Sequence, residues 1–186
     1  MDPKNSPWKT HKSEIAHKNP YYHIEHHTVT RPDGTPGNYY VLGKKHETIY
    51  VVALDENQKI YLLEQYRYPC QTWSWEIPAG NIEDGEDSLT AAKRELQEET
   101  GIIAKTWTKL GWMQESSGYS SLKGDIWLAQ NLIQTPDHNK NEEGIREVRT
   151  INLEEALDWI YINKITDCHS VMPITLANGF LKKRNK

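Results

Sequence analysis

Three glutamates, Glu95, Glu98 and Glu99, are placed to do chemistry. In a helix they fall at i, i+3 and i+4, so their carboxylates share one face. Two such charges about 4 Å apart, at an effective dielectric constant of 20, repel by roughly 4 kcal/mol. They also sit in the last turn of the helix, where the dipole disfavours anions and lysine is the stabilising choice. A group arranged against its own stability calls for a cation. Hard oxygen ligands without histidine or cysteine point to Mg²⁺, with Mn²⁺ as a second candidate. A solvated acidic helix end explains two of the glutamates. It does not explain three beside a glycine loop, Ala79-Gly80, whose carbonyls can add a ligand. Mg²⁺ held by a few carboxylates completes its shell with water and phosphate, which points to water activated against a phosphate.

The elements that must position these carboxylates follow from the pattern around them. Asp87 or Ser88 caps a helix that Gly101 ends. Between them Leu89, Ala92 and Leu96 make one apolar stripe for the core, and Arg94 reaches Glu98 at i+4. Upstream, Trp73-Ser74-Trp75-Glu76-Ile77-Pro78 reads as a short strand feeding Ala79-Gly80. A longer strand over residues 59–67 stops before Pro69, which cannot donate to a ladder. It ends in Arg67, placed either to clamp a phosphate or to sit in a surface ion pair.

The remaining pattern is that of a mixed α/β domain. Residues 1–20 are polar and rich in Lys and His, and read as a loose arm. Residues 21–30 and 38–42 read as a hairpin around Pro32-Asp33-Gly34. His23, His26 and His27 in that hairpin read as lining of a half-exposed strand, since no Cys or carboxylate has matched ligand spacing. Strands are expected over 47–54, 103–114, 125–130 and 145–151, with a loop over 116–121 and a long polar loop over 131–144. Helical spacing recurs over 153–163 and about 170–181, before a basic tail. The expected division is an N-terminal arm with strands over 1–46 and a main domain over 47–186.

Composition narrows the partners. A length of 186 residues with 37% hydrophobic content suits one full core with an appendage. A net charge of −4 is not that of a basic nucleic-acid binder. Cys70 and Cys168 are far apart and form no CxxC, which suits a reduced, cytoplasmic setting. The N-terminus has no apolar core of a signal peptide, and no apolar run is long enough to span a bilayer. Seven tryptophans and ten tyrosines offer faces for a nucleobase; Tyr39, Tyr40, Trp73, Trp75 and Tyr119 are the candidates.

Gly80, Glu86, Arg94, Glu95, Leu96, Glu98, Glu99, Gly101 and Ile102 match the Nudix box, G-x5-E-x7-R-E-U-x-E-E-x-G-U, at every fixed position. Chance agreement has a probability on the order of 10⁻¹⁰ per starting position at average residue usage. The chain thus resembles the Nudix hydrolases, which implies an α/β/α sandwich with a mixed sheet, plus an N-terminal β-hairpin region. The resemblance also implies hydrolysis of a nucleoside diphosphate linked to another group, with Mg²⁺ bound. Carried over by position, Glu95, Glu98, Glu99 and the Ala79 carbonyl are metal ligands. Glu86 and Arg94 tie the loop to the helix.

Gln65-Tyr66-Arg67 and Glu76-Ile77-Pro78-Ala79-Gly80 further resemble the ADP-ribose and nucleotide-sugar pyrophosphatases. That resemblance implies that Arg67, Glu76 and Gly118 meet the substrate and that Glu98, Glu99 and Glu143 carry catalysis. Glu143, from the late acidic loop, is also expected on the metal; Glu142 takes its place if the alignment slips by one. It implies a homodimer paired through the N-terminal strands. Ser117-Gly118 stands where ADP-ribose members carry Pro-Gly, which leaves nucleotide sugars beside ADP-ribose as substrates. The alternatives are a Nudix hydrolase of dinucleoside polyphosphates or nucleoside triphosphates, and a non-catalytic nucleotide-sensing module.

Overall fold

The computed structural model describes residues 6–135 and 144–184. The chain forms two compact units: Met1–Glu47 with Gln114–Lys123, and Thr48–Met113 with Gly124–Lys186.

The first unit is an antiparallel meander of β1 (Lys9–Lys18), β2 (Tyr22–Thr30) and β3 (Pro36–Lys44). The hairpin turns at Gly34, whose φ of +86° a side chain would resist. The sequence expected a loose arm over residues 1–20, yet β1 pairs along its length with β2, from Lys9 opposite Thr30 to Lys18 opposite His23. The arm lacked an apolar face because β1 is exposed throughout; backbone pairing and polar cross-strand contacts hold it. One strand histidine is among these contacts: His26 bonds Glu14 of β1 at 3.3 Å and Asn38 of β3 at 2.9 Å, while His23 and His27 bond Glu25 within β2, at 3.2 and 2.8 Å.

The second unit is built on β4 (Thr48–Ala53), buried at every residue. A strand buried on both faces reads as a continuous apolar run. Ile49, Val51 and Ala53 pack with Ala91, Ala92 and Leu96 of α1 (Ser88–Thr100). Tyr50, Val52 and Leu54 belong to the opposite cluster, with Trp159 of α2 (Leu153–Tyr161) and Ile174 and Ala177 of α3 (Cys168–Arg184). The result is a sheet between helical layers.

The four-stranded sheet runs β7 (Ala79–Asn81), β4, β9 (Lys123–Gln134), β8 (Ile102–Gln114). It is mixed, since β4 runs parallel to β9 and antiparallel to β7. A second, antiparallel sheet places β5 (Lys59–Arg67) between β10 (Ile145–Asn152) and β6 (Thr72–Glu76). Among the described residues, no helix is long and apolar enough to cross a membrane.

Candidate active site

The site is assembled where β7 crosses α1. Asp87 caps α1: its side chain accepts the N–H groups of Leu89 and Thr90 at 2.9 and 3.0 Å. Gly101 ends the helix at φ +71°. The helix is therefore set in length and phase from both ends, which directs Glu95, Glu98 and Glu99 toward the loop ahead of it.

That loop is pinned peptide by peptide. The Pro78 carbonyl accepts the Val51 N–H at 2.8 Å, and Ala79 and Gly80 pair with Tyr50 and Ile49. The Ala79 N–H donates to Glu99 Oε2 at 3.1 Å. A Cβ on Gly80 would lie 1.9 Å from Glu95 Oε1 and 2.0 Å from its carboxyl carbon. Glycine is required there for space, so that a carboxylate can lie against the backbone. Glu99 and Glu95 are buried, at 2% and 8% exposure, while Glu98 keeps a more open side chain.

Arg94 gathers the carboxylates. Its guanidinium donates to Glu86 at 3.1 and 3.0 Å, to the Asn81 carbonyl at 2.9 Å, to Glu95 at 2.8 Å and to Glu98 at 3.1 Å. The Glu86 bond is the largest reason its pKa is raised, against the cost of burial; Glu95 and Glu98 add to it. In return Arg94 holds Glu86 below the usual carboxylate range.

Arg67, at the end of β5, is held by Glu76 at the end of β6. Arg67 Nε lies 2.9 and 3.1 Å from the two oxygens of Glu76, and Nη2 donates to Oε2. Glu76 is only 4% exposed, so a single buried carboxylate fixes the plane of the fork. The Glu76 bond raises the Arg67 pKa against burial, and the charges of Asp167 and Glu99 reinforce it. Arg67 therefore lies within the electrostatic reach of Glu99 on α1. Its Nη1 donates no hydrogen bond among the described residues.

Glu143 and Glu142 lie outside the described residues. Gly118 belongs to the first unit, where its carbonyl accepts the Tyr39 hydroxyl at 2.6 Å.

The sequence reading missed the first turn of α3. Ser170 Oγ accepts the Ile77 N–H at 3.1 Å and donates to Asp167 Oδ2 at 3.0 Å. His169 Nδ1 lies 3.2 Å from Asp167 Oδ1, and its ring stacks on Tyr50 at 5.3 Å. Burial pushes the Asp167 pKa up, but the bonds from His169 and Ser170 and the His169 charge outweigh it and leave it lowered. A signal was present: Asp167, three residues before Ser170, is a capping pattern.

The donor set fits a hard divalent cation. Three carboxylates and a loop carbonyl offer oxygen alone, and the space at Gly80 serves to bring one carboxylate against the loop. Among the described residues, Asp167, Cys168 and His169 also lie close enough to share an ion, but with mixed ligand types.

Comparison with known proteins shows the family of the chain. Residues 44–167 match the NUDIX domain, and residues 8–42 match the nucleoside diphosphate sugar hydrolase N-terminal domain. An ADP-ribose pyrophosphatase of Bacillus subtilis (strain 168) is 32% identical over 127 residues, 68% of this chain and 69% of its own length. A methanol dehydrogenase activator of Bacillus methanolicus is also 32% identical over 127 residues, with the same coverage of both chains. The crystal structure of an ADP compounds hydrolase superposes with a TM-score of 0.85 at 21% identity, covering 95% of each chain, and so shares the fold.

Proposed function

The chain belongs to the Nudix hydrolases, and we propose that it cleaves the diphosphate bond of ADP-ribose or a related nucleoside diphosphate sugar. The products are a nucleoside monophosphate and a sugar phosphate. The observation that carries this reading is the seating of Glu95 and Glu99 against Ala79-Gly80, with the Arg67 guanidinium fixed by Glu76 and in the field of Glu99. Nudix hydrolases generally need a divalent metal; here we assign Mg²⁺. Glu95, Glu98, Glu99 and the Ala79 carbonyl would hold it, and Glu143 is assigned to the same site from the resemblance. When bound, the ion neutralises diphosphate charge and lowers the pKa of water.

The chain's own residues do the rest. Arg67, squared by Glu76, presents Nη1 to the diphosphate. Glu98 and Glu99 act on the attacking water, with Glu143 as the further candidate base. The assignment of Gly118 to the substrate rests on the resemblance alone. The match of residues 8–42 to a nucleoside diphosphate sugar hydrolase domain supports a sugar-bearing substrate over dinucleoside polyphosphates and triphosphates. We assign the N-terminal strands to homodimer contact, for which the exposed β1 offers a full strand, and the enzyme to the cytoplasm.

A screen of nucleoside diphosphate compounds with Mg²⁺, read by release of nucleoside monophosphate, tests the activity. Turnover of ADP-ribose or a nucleotide sugar is the expected result; no release from any of them overturns the reading. Glu98→Gln and Glu99→Gln should each lower kcat by about 10² or more at unchanged fold, the scale of losing one preorganised charge.

A further inference from the structure

The loop that offers a carbonyl to the metal is held from three directions. Glu99 of α1 takes the Ala79 N–H, and Val51 of β4 donates to the Pro78 carbonyl. The third hold comes from α3, an element outside the box. Ser170 Oγ takes the Ile77 N–H at 3.1 Å while its own proton goes to Asp167 at 3.0 Å. Ser170 is 1% exposed, so this hydroxyl sits in a dry environment and its hydrogen bonds are not exchanged for water.

The same turn grips the loop's neighbour strand. His169 bonds Asp167 and lies flat on the buried ring of Tyr50, 5° from parallel. Tyr50 is the β4 partner of Ala79. Two side chains at the start of α3 thus reach the two strands that meet at Ala79, Ser170 through the Ile77 backbone and His169 through the Tyr50 ring. Between Ile77 and Ala79 stands only Pro78, whose ring fixes φ and leaves little freedom to absorb a shift. A displacement at Ile77 therefore passes to the Ala79 peptide.

We propose that Ser170 and Asp167 are positioning residues of the metal centre: through the Ile77 N–H they set where the Ala79 carbonyl points. This inference rests on the metal site described above. It extends that site to an element that the box does not contain. Groups hydrogen-bonded directly to metal ligands commonly change metal affinity by about 10- to 100-fold when removed, and Ser170, bonded two residues ahead of Ala79, belongs at the lower end.

The test is a Mn²⁺ titration of the full chain followed by electron paramagnetic resonance, with thermal unfolding of the metal-free protein measured in parallel. Ser170→Ala is expected to weaken Mn²⁺ binding by about tenfold or more, the lower end of that scale. Ser170→Thr, which keeps the hydroxyl, should recover most of the loss. Asp167→Asn keeps the shape but provides one acceptor oxygen where the turn uses two, and should give an intermediate loss. Wild-type Mn²⁺ affinity in folded Ser170→Ala overturns the proposal. Should that variant fail to fold, wild-type affinity in folded Asp167→Asn does the same. If the wild-type chain binds Mn²⁺ but releases no nucleoside monophosphate, the functional reading fails and this inference stands; if it binds none, both fail.

Discussion

The carboxylate of Glu95 occupies the space that a side chain on Gly80 would need. A Cβ there would come within 1.9 Å of Glu95 Oε1. The neighbour is a short, buried carboxylate tied to Arg94 at 2.8 Å, so it has little room to give. Gly80→Ala should displace Glu95 from the loop and lower kcat at least about 100-fold, by comparison with the loss of one placed charge. Because strain and a lost ligand both destabilise, the informative reading is metal affinity. Unchanged Mn²⁺ binding in a folded Gly80→Ala variant would contradict the assignment of Glu95 as a ligand.

Arg94 satisfies Glu86, Glu95, Glu98 and the Asn81 carbonyl with one planar group. Lysine keeps the charge but is a point donor and cannot span that fork. Arg94→Lys should cost about 2–3 kcal/mol of stability, below the full cost of stripping a buried pair because the charge remains and the site is partly exposed. Denaturant unfolding of the metal-free protein measures it. Added Mg²⁺ should restore part of the difference by supplying positive charge among the same carboxylates; no Mg²⁺ effect on either protein would count against the site.

Local signals made the helix and its carboxylate face legible. Asp87, Gly101 and the i, i+3, i+4 glutamates are all read within about fourteen residues, where the 3.6-residue period alone fixes the geometry. The caps and the phase of α1 follow from that segment. The first strand was not legible, because β1 buries no side chain and its order comes from pairing with β2. The start of α3 was missed for a related reason. Asp167, His169 and Ser170 take their meaning from Ile77 and Tyr50, nearly a hundred or more residues away in the chain. Nor does residue type reveal that Glu76 meets Arg67 rather than solvent: in the β5–β6 ladder Glu76 stands opposite Leu63 and Arg67 opposite Thr72, and the two long side chains meet along the sheet face they share.

The cap on α1 carries a pH signature. Asp87 is held below the usual 3.8, first by the Thr90 hydroxyl and then by backbone N–H groups. A depressed folded-state pKa contributes stability that is present above the unfolded value and lost as pH falls through the folded one. The Tm difference between wild type and Asp87→Ala should therefore be constant near neutral pH and narrow below about 3.8. Thermal scans of the two proteins across acid pH supply the comparison. A difference that widens on acidification would show that the charge of Asp87 does not stabilise the helix end.

Arg67 and Glu76 give the last prediction. Glu76 is buried with both oxygens on the guanidinium, so under the proposed function its effect on substrate passes through Arg67. Glu76→Gln keeps the size but places an amide N–H₂ against a donor, so one of the two anchoring contacts becomes repulsive. Arg67 then loses its fixed plane while retaining its charge. The expected effect is a KM raised about tenfold, the scale of one charge-assisted hydrogen bond, with kcat reduced less. Arg67→Lys should raise KM further, since it keeps a positive charge but loses both the planar fork to Glu76 and the outward Nη1 donor. Steady-state kinetics on the best substrate from the screen separates the two constants. If Glu76→Gln lowers kcat and leaves KM alone, Arg67 serves the reacting phosphate in the transition state and not the ground-state diphosphate.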